Sequence, residues 1–352
     1  MTQEQSLKMI NTFFSEGFGS NFFSSIKKNN LVQVYLDKKP FLSIGYKGAD
    51  LNLPEDCTGN SCIKIIWLVL FNQILGSYEE FVFKRVSEVL KSPFPLFPYT
   101  EEDLFYDYEA IKKSNSYKAN SGRQIINCFH TSLYKANRKG CLSPFLAWQN
   151  EDLVRTIIEN RIIYSRDLDD FTILRGFSTS GKAPRVSTFA PSLARYLVQK
   201  YLNDFDEIID PFSGFSGRLL GAASLGKRYK GWDINPVTVK ESCEMINFMQ
   251  LENCSVEVRN SRIYKTSGQC LLTCPPYGDL ESWNQEIENF DVQFWVKQCL
   301  ENYDCKRYLF VVPGSFESEN CVEILSNRNH LNSKSCEKVL LFEKPFNKKK
   351  EL

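Results

Sequence analysis

The chain has 352 residues, 43 Lys and Arg against 42 Asp and Glu for a net charge of +1, 43% apolar and 14% aromatic residues, 12 cysteines and 2 histidines. That length suits about two domains, and 27 phenylalanines can fill real cores, which excludes wholesale disorder. Taken in bulk, the balanced charge speaks against a polyanionic partner, because affinity for a phosphate backbone rewards a basic excess.

The N-terminus, MTQEQSLKMI, lacks a basic segment leading into an apolar one, and no apolar run approaches the roughly 20 residues that span a bilayer. A cytoplasmic protein without a membrane partner is expected. Residues 1 to about 165 are irregular, with aromatic pieces (Phe13, Phe14, Phe18, Phe22, Phe23), a predicted helix through Ile63 to Leu90 and a Pro/Phe-rich break from Ser92 to Tyr99. The pattern names no fold for this half, which is expected to be a mixed α/β recognition region, residues 1–165. Cys57 and Cys62 have the spacing of half a metal site, but no second pair or nearby His completes it, so no metal is expected. The scattered cysteines read as reduced thiols that pack as small hydrophobes.

From about Asp204 onward, short apolar runs alternate with helical segments. EIID (207 to 210) precedes a helix from Arg218, and YKGWD (229 to 233) precedes a helix over Thr238 to Met249. The series continues with SVEVR (255 to 259), CLLT (270 to 273), a helix over Val292 to Glu301, YLFVV (308 to 312), a predicted helix near Cys321 to Leu325, and VLLF (339 to 342). Strands alternating with helices predict βαβ units and a mostly parallel sheet, an α/β domain over residues 166–352.

Counted by segment, the charge is uneven. Residues 111 to 150 hold no Asp or Glu but carry Lys112, Lys113, Lys118, Arg123, Lys135, Arg138 and Lys139, and a second acid-free stretch runs from Phe171 to Asn203. The first is interleaved with Phe129, His130, Tyr134 and Trp148, a composition suited to phosphate contacts beside base-stacking rings. A solvated basic face, and core packing for Phe129 and Trp148, are the plainer alternatives. Lys112, Lys113, Lys135, Arg138 and Lys139 are the expected phosphate contacts.

Three runs carry chemistry. EIIDPFSGFSGRLLGA (207 to 222) is a strand ending in Asp210, then a turn whose small residues Gly214, Ser216 and Gly217 let backbone approach a ligand, then a helix whose first amides face that ligand. In GWDIN a second strand ends in Asp233, 23 residues on, where an acid accepts hydrogen bonds from a ribose diol; helix capping is the alternative for both acids. In LLTCPPYG (271 to 278) Pro275 and Pro276 stiffen the carboxyl end of a strand, and Tyr277 offers a ring face to a planar group such as a flipped base.

Together these residues resemble the S-adenosylmethionine-dependent amino-methyltransferases, in particular the DNA adenine-N6 and cytosine-N4 family. Asp210-Pro-Phe212-x-Gly214 looks like its first motif, Asp233 falls at its ribose-binding acid, and Thr273-Cys274-Pro275-Pro276-Tyr277 looks like its catalytic [DNS]PPY. VSTFAPSLARYLVQKYL (186 to 202) is similar to the segment before motif one that lies over the methionine part of the cofactor, through Phe189 and Pro191. The resemblance spans roughly residues 170 to 345 and implies a Rossmann-like domain with helices on both faces of its sheet. It implies Phe189, Pro191, Asp210, Phe212, Gly214, Ser216, Gly217, Asp233, Ile234, Asn260 and Thr273 as cofactor residues. Cys274, Pro275, Pro276 and Tyr277 are implied as catalytic, with methyl transfer to a flipped base in DNA, RNA staying open as acceptor.

Three positions depart from the pattern. Ser216 stands where a second Gly is usual, Asn260 and Ser261 replace an acid at the tip of strand three, and Cys274 replaces Asp, Asn or Ser. A thiol accepts hydrogen bonds weakly. Cys274 therefore admits a rival, a thiolate adding to a pyrimidine to activate carbon 5, although carbon-5 enzymes place that Cys after a proline. A silent cofactor-binding subunit is a further alternative. Asp210 and Cys274 lie 64 residues apart, which leaves no room for an inserted recognition domain, so specificity is expected from the N-terminal half.

Overall fold

In the computed structural model, residues 23–28, 31–36, 39–45, 78–138, 140–163, 167–276, 281–282, 291–325 and 336–344 are described. They divide between two compact units, each discontinuous in sequence: Met1–Pro95 with Pro144–Pro184, and Leu96–Ser143 with Arg185–Leu352. Residues 96–143, which the sequence assigns to the N-terminal region, thus lie in the unit that carries the parallel sheet.

In the first unit, β1 (Phe23–Lys28), β2 (Leu31–Leu36) and β3 (Lys39–Gly45) form an antiparallel meander in that order. The same unit holds the helices Tyr78–Lys91, Pro144–Trp148, Glu151–Ile163 and Asp170–Thr179. The described helix begins at Tyr78, and the predicted stretch from Ile63 to residue 77 lies outside the described residues, as do Cys57 and Cys62. Trp148 is 2% exposed, edge-on to Phe94 and Phe177, with its indole Nε1 3.4 Å from Ser92 O. Gly176 lets two helices cross closely: a Cβ there would meet Ile157 Cγ2 at 2.4 Å.

The second unit begins with helices Glu101–Lys112 and Arg123–Phe129, a single 3-10 turn Thr131–Tyr134, and the short strand β4 (Asn137–Arg138). Asp107 joins the two helices: its buried carboxylate accepts from Gly122 N and Gln124 N, both at 2.8 Å, where the second helix has unpaired amides. After helix Pro191–Tyr201 come β5 (Glu207–Asp210), helix Gly217–Ala223, β6 (Arg228–Asp233), helix Pro236–Phe248 and β7 (Cys254–Val258). Then follow β8 (Thr266–Ser267), β9 (Cys270–Thr273), β10 (Glu281–Ser282), helix Val292–Asn302, β11 (Tyr303–Asp304), β12 (Arg307–Pro313), β13 (Cys321–Leu325) and β14 (Glu337–Glu343).

Seven of these strands form one sheet in the order β7-β6-β5-β9-β12-β14-β13. Neighbours from β7 to β12 are parallel, while β14 is antiparallel to both β12 and β13. Every residue of β5 and β9 is buried, as in a sheet covered on both faces, and this is an α/β, Rossmann-like domain. Cys321–Leu325 is a strand and not the expected helix. Its alternating half-buried and exposed positions follow a period of two, and pairing with β14 decides a segment too short to specify a helix. Cysteines serve as core: burial pushes the Cys254 and Cys305 thiols up to about 12, so they stay protonated.

The chain passes from β5 outward to β6 and β7, then returns to place β9 on the other side of β5. Connections leaving β5 and β9 therefore diverge, which makes the carboxyl ends of these strands the switch point at which doubly wound sheets place a ligand. Asp210, Asp233 and Thr273 are the last residues of β5, β6 and β9, so the three motif-bearing strands end on that side of the sheet.

Candidate cofactor and catalytic site

Asp210 is fully buried and holds four partners: Arg218 Nε at 2.6 Å, Tyr229 Oη at 2.6 Å, Thr273 Oγ1 at 2.6 Å and Phe212 N at 3.1 Å. One carboxylate thereby ties the carboxyl ends of β5 and β9, and Tyr229 near the start of β6, to the loop. Burial alone would weaken the Arg218 cation, but Asp210 beside it outweighs that cost and holds the guanidinium charged. Arg218 also donates to Phe212 O, and its guanidinium lies 4.9 Å from the Phe189 ring centre. Asp210 and Thr273 thus act on the shape of the loop and the strand end, being buried under it.

Along the loop, Gly214 has φ 54° and Ser216 φ 61°, and Gly217 starts the next helix. A Cβ on Gly217 would lie 1.9 Å from Phe189 O, so the segment before motif one crosses the loop at a distance that only glycine permits. Pro191 follows as the first residue of helix Pro191–Tyr201. Phe212 is half-buried, edge-on to Trp295 with centroids 5.1 Å apart. The Ser216 hydroxyl is buried against His130 and Ser242, which explains how a side chain is accommodated where glycine is usual.

Asp233 is half-buried at the tip of β6 and takes Gly214 N on Oδ2 at 3.0 Å and Asn235 N on Oδ1 at 2.9 Å. Each oxygen keeps a second lone pair, so a diol can be accepted without breaking either bond. Burial raises its carboxyl above the ordinary value in spite of the two amides. Ile234 next to it is 50% exposed, an apolar surface beside the acid. Asn260 is exposed at the tip of β7, where its Oδ1 accepts from Arg262 N at 3.0 Å. A backbone turn, an acid with spare acceptor capacity and an exposed aliphatic side chain suit the phosphate-free nucleoside half of a cofactor.

At the end of β9, Cys274 is half-buried, Pro275 buried and Pro276 half-buried; Tyr277 lies outside the described residues. Prolines carry no N–H, so this turn is rich in acceptors and poor in donors. Beyond it, β10 pairs antiparallel with β4, Glu281 opposite Arg138 and Ser282 opposite Asn137. The chain that follows the PPY turn is thereby joined to the basic segment.

Within that segment Lys113 and Lys135 are exposed and Arg138 is half-buried, and Lys139 lies outside the described residues. Lys112 is engaged with Glu109 Oε1 at 2.7 Å and lies over the Tyr108 ring. The aromatic half of the expectation is corrected. Tyr134 is 3% and Trp148 2% exposed, so both are core side chains and not stacking platforms. Phe129 is half-buried against Phe248, centroids 5.2 Å apart.

Arg218, Tyr229, His130, Glu241 and Ser242 belong to the site and carry no motif signal. Arg218 and Tyr229 sit inside the recognised runs, at positions where an uncompensated buried acid calls for a donor. His130 has only its rarity as a signal, one of 2 histidines, in an acid-free stretch. Among the described residues no His/Cys/Asp/Glu group could hold a metal ion, and no helix is long and apolar enough to cross a membrane.

The fold is a Rossmann-like α/β domain whose motif residues gather at the carboxyl ends of its central strands. No protein-family model and no curated protein matches the chain. Among solved structures, it is similar to a Pyrococcus horikoshii protein described as an RNA methyltransferase, 14% identical over 45% of this chain and 86% of that one, TM-score 0.35. The Thermus thermophilus TrmN is 18% identical over 44% of this chain and 48% of its own length, TM-score 0.33, and an Escherichia coli protein described as the methyltransferase yhhF is 13% identical over 43% and 86%, TM-score 0.32. Likeness at this level carries no argument about activity, which rests on the residues above.

Proposed function

We propose that this chain is an S-adenosylmethionine-dependent methyltransferase acting on an exocyclic amine of a nucleic-acid base, adenine N6 or cytosine N4 in DNA. The observation that carries the reading is the joining of its motifs: Asp233 holds the glycine turn through Gly214 N, while Asp210 holds both that turn and Thr273. This linkage supports reading the glycine turn, Asp233 and the PPY strand end as parts of one site. Phe189, Pro191, Phe212, Gly214, Gly217, Asp233, Ile234 and Asn260 are the residues that would hold S-adenosylmethionine. Bound there, it supplies a methyl group on an electrophilic sulfonium.

The chain's own contribution lies in the acceptor-rich turn. An exocyclic amine is planar and weakly nucleophilic because its lone pair is delocalised into the ring. Carbonyls at the Thr273-Cys274-Pro275 turn accept hydrogen bonds from its N–H groups, localise its lone pair and fix its direction, Tyr277 supplies a face for the base, and the proton that the methylated nitrogen sheds passes to water. No covalent enzyme intermediate is needed, so Cys274 stands where a Ser would serve. Lys113, Lys135 and Arg138 are assigned to the phosphate backbone, with Lys112 and Lys139 beside them. Pairing of β4 with β10 supports this assignment, since it brings that segment to the chain leaving the PPY turn.

The test is incubation with S-adenosylmethionine and DNA, RNA or protein, followed by mass spectrometry of the nucleosides and peptides. N6-methyladenine or N4-methylcytosine in DNA is the expected product, and Cys274→Ser is expected to keep at least about half of the activity. Modified RNA alone moves the assignment to RNA. A covalent adduct with a 5-fluoropyrimidine substrate, lost in Cys274→Ser, overturns amine transfer in favour of carbon 5. Cofactor binding with no transfer to any acceptor identifies a silent subunit, a reading that the weak acceptor at Cys274 favours.

A further inference from the structure

The turn of the candidate cofactor site is held by a residue outside every motif. His130, fully buried in the segment after helix Arg123–Phe129, places Nε2 3.0 Å from Ser216 Oγ. Its ring is set edge-on to Phe215, with centroids 5.6 Å apart, and Nδ1 faces Glu241 Oε2 at 3.4 Å. Glu241 is itself fixed by Ser132 N at 2.8 Å, Ser132 Oγ at 2.5 Å and Thr131 Oγ1 at 3.2 Å. These bonds and His130 outweigh the effect of burial and keep its carboxyl below the ordinary value.

Proton accounting gives the chain of hydrogen bonds a direction. Ser242 has one hydroxyl proton, which goes to Thr238 O at 2.9 Å, so the Ser216 hydroxyl donates to Ser242 Oγ at 2.8 Å. His130 Nε2 and Ser216 Oγ complete the chain at hydrogen-bond distance, the proton between them being set by the His130 tautomer.

Ser216 differs from an ordinary serine at the start of a helix. Its φ is 61°, and its hydroxyl caps no amide of the following helix. For a residue with a Cβ the left-handed region is sterically disfavoured, whereas glycine enters it freely. The hydroxyl is instead the handle by which His130 and Ser242 hold the turn. In that turn Gly214 N reaches Asp233 and Gly217 passes Phe189 O. We propose that His130 is a positioning residue of the cofactor turn: through Ser216 it fixes the left-handed geometry on which binding at Gly214 and Asp233 depends. This rests on the turn being the cofactor's, as read above.

The test uses full-length protein, calorimetric titration with S-adenosylhomocysteine, and the variants His130→Leu, His130→Gln, His130→Asn, Ser216→Gly and the Leu/Gly double variant. His130→Leu is expected to weaken binding about tenfold. In His130→Gln the amide nitrogen stands near the position of Nε2, so affinity should stay within about threefold of wild type, whereas the shorter His130→Asn should lose about as much as Leu. In the Ser216→Gly background, where glycine needs no partner at φ 61°, His130→Leu should cost less than about twofold. Equal affinity of His130→Leu and wild type, or the same tenfold loss in the Ser216→Gly background, overturns the proposal. If His130→Leu does not fold, the contrast between Gln and Asn decides. A wild type that gives no binding refutes the cofactor reading itself, and the loop coupling is then read without ligand, from urea unfolding: non-additive effects of His130→Leu and Ser216→Gly support it, and additive effects overturn it.

Discussion

Two stretches of the same unit, the loop from Asp210 to Arg218 and the basic segment from Lys112 to Arg138, both stand out by residue type, and they differ in how their side chains are used. In the loop the motif side chains Asp210 and Ser216 are buried and fully engaged, Asp210 with four partners and Ser216 with two. In the basic segment Lys113 and Lys135 stand in solvent, while Tyr134 has gone into the core. A motif that fixes backbone shape needs its side chains inside, whereas a surface for a polyanion needs its charges outside. Composition sees both alike.

The largest effect that would sharpen this contrast is expected at Arg218. Arg218→Met removes the cation from Asp210 and leaves a buried carboxylate with neutral donors only, which should cost on the order of 3–5 kcal/mol in urea unfolding. A loss below about 1 kcal/mol would mean that the loop is not organised around that pair. Gly217→Ala comes next. Its Cβ has no room beside Phe189 O, so the crossing segment must move, with about 1–3 kcal/mol of destabilisation and a loss of S-adenosylhomocysteine affinity in the same titration. Unchanged affinity in a folded Gly217→Ala protein would break the link between the crossing and the site.

The smallest effect on stability, and the most selective on binding, is expected from the double charge reversal Lys113→Glu with Lys135→Glu, both exposed. Folding should change by less than about 0.5 kcal/mol, as for surface substitutions generally. Affinity for nucleic acid should fall, and the slope of log K against log salt should flatten by roughly one for each phosphate that is no longer neutralised. An unaltered slope would reduce the basic segment to a solvated face and remove the difference between the two regions.

Much of the fold is legible in the sequence because parallel strands buried on both faces leave continuous apolar runs: EIID and CLLT coincide residue for residue with β5 and β9. Cys321–Leu325 is not legible, because the five residue types CVEIL show no clear apolar–polar alternation of their own, and its partner β14 makes it a strand. Tyr134 and Trp148 mislead for a related reason. An aromatic side chain is as suited to a core as to stacking on a base, and local sequence does not contain what packs against it.

The amino-acid sequence by itself determined where β5, β6, β7, β9, β12 and β14 fall along the chain, the glycine turn, Asp233 and the two prolines, since each is a demand on local backbone or on the end of a strand. Only the tertiary structure decided what the remaining side chains do. Asp210 became the buried anchor of three strands, Ser216 turned inward, and His130, 86 residues before Ser216, came to lie beneath the turn. Such partners are set by contacts between distant segments, and their residue types are compatible with many other positions in the chain.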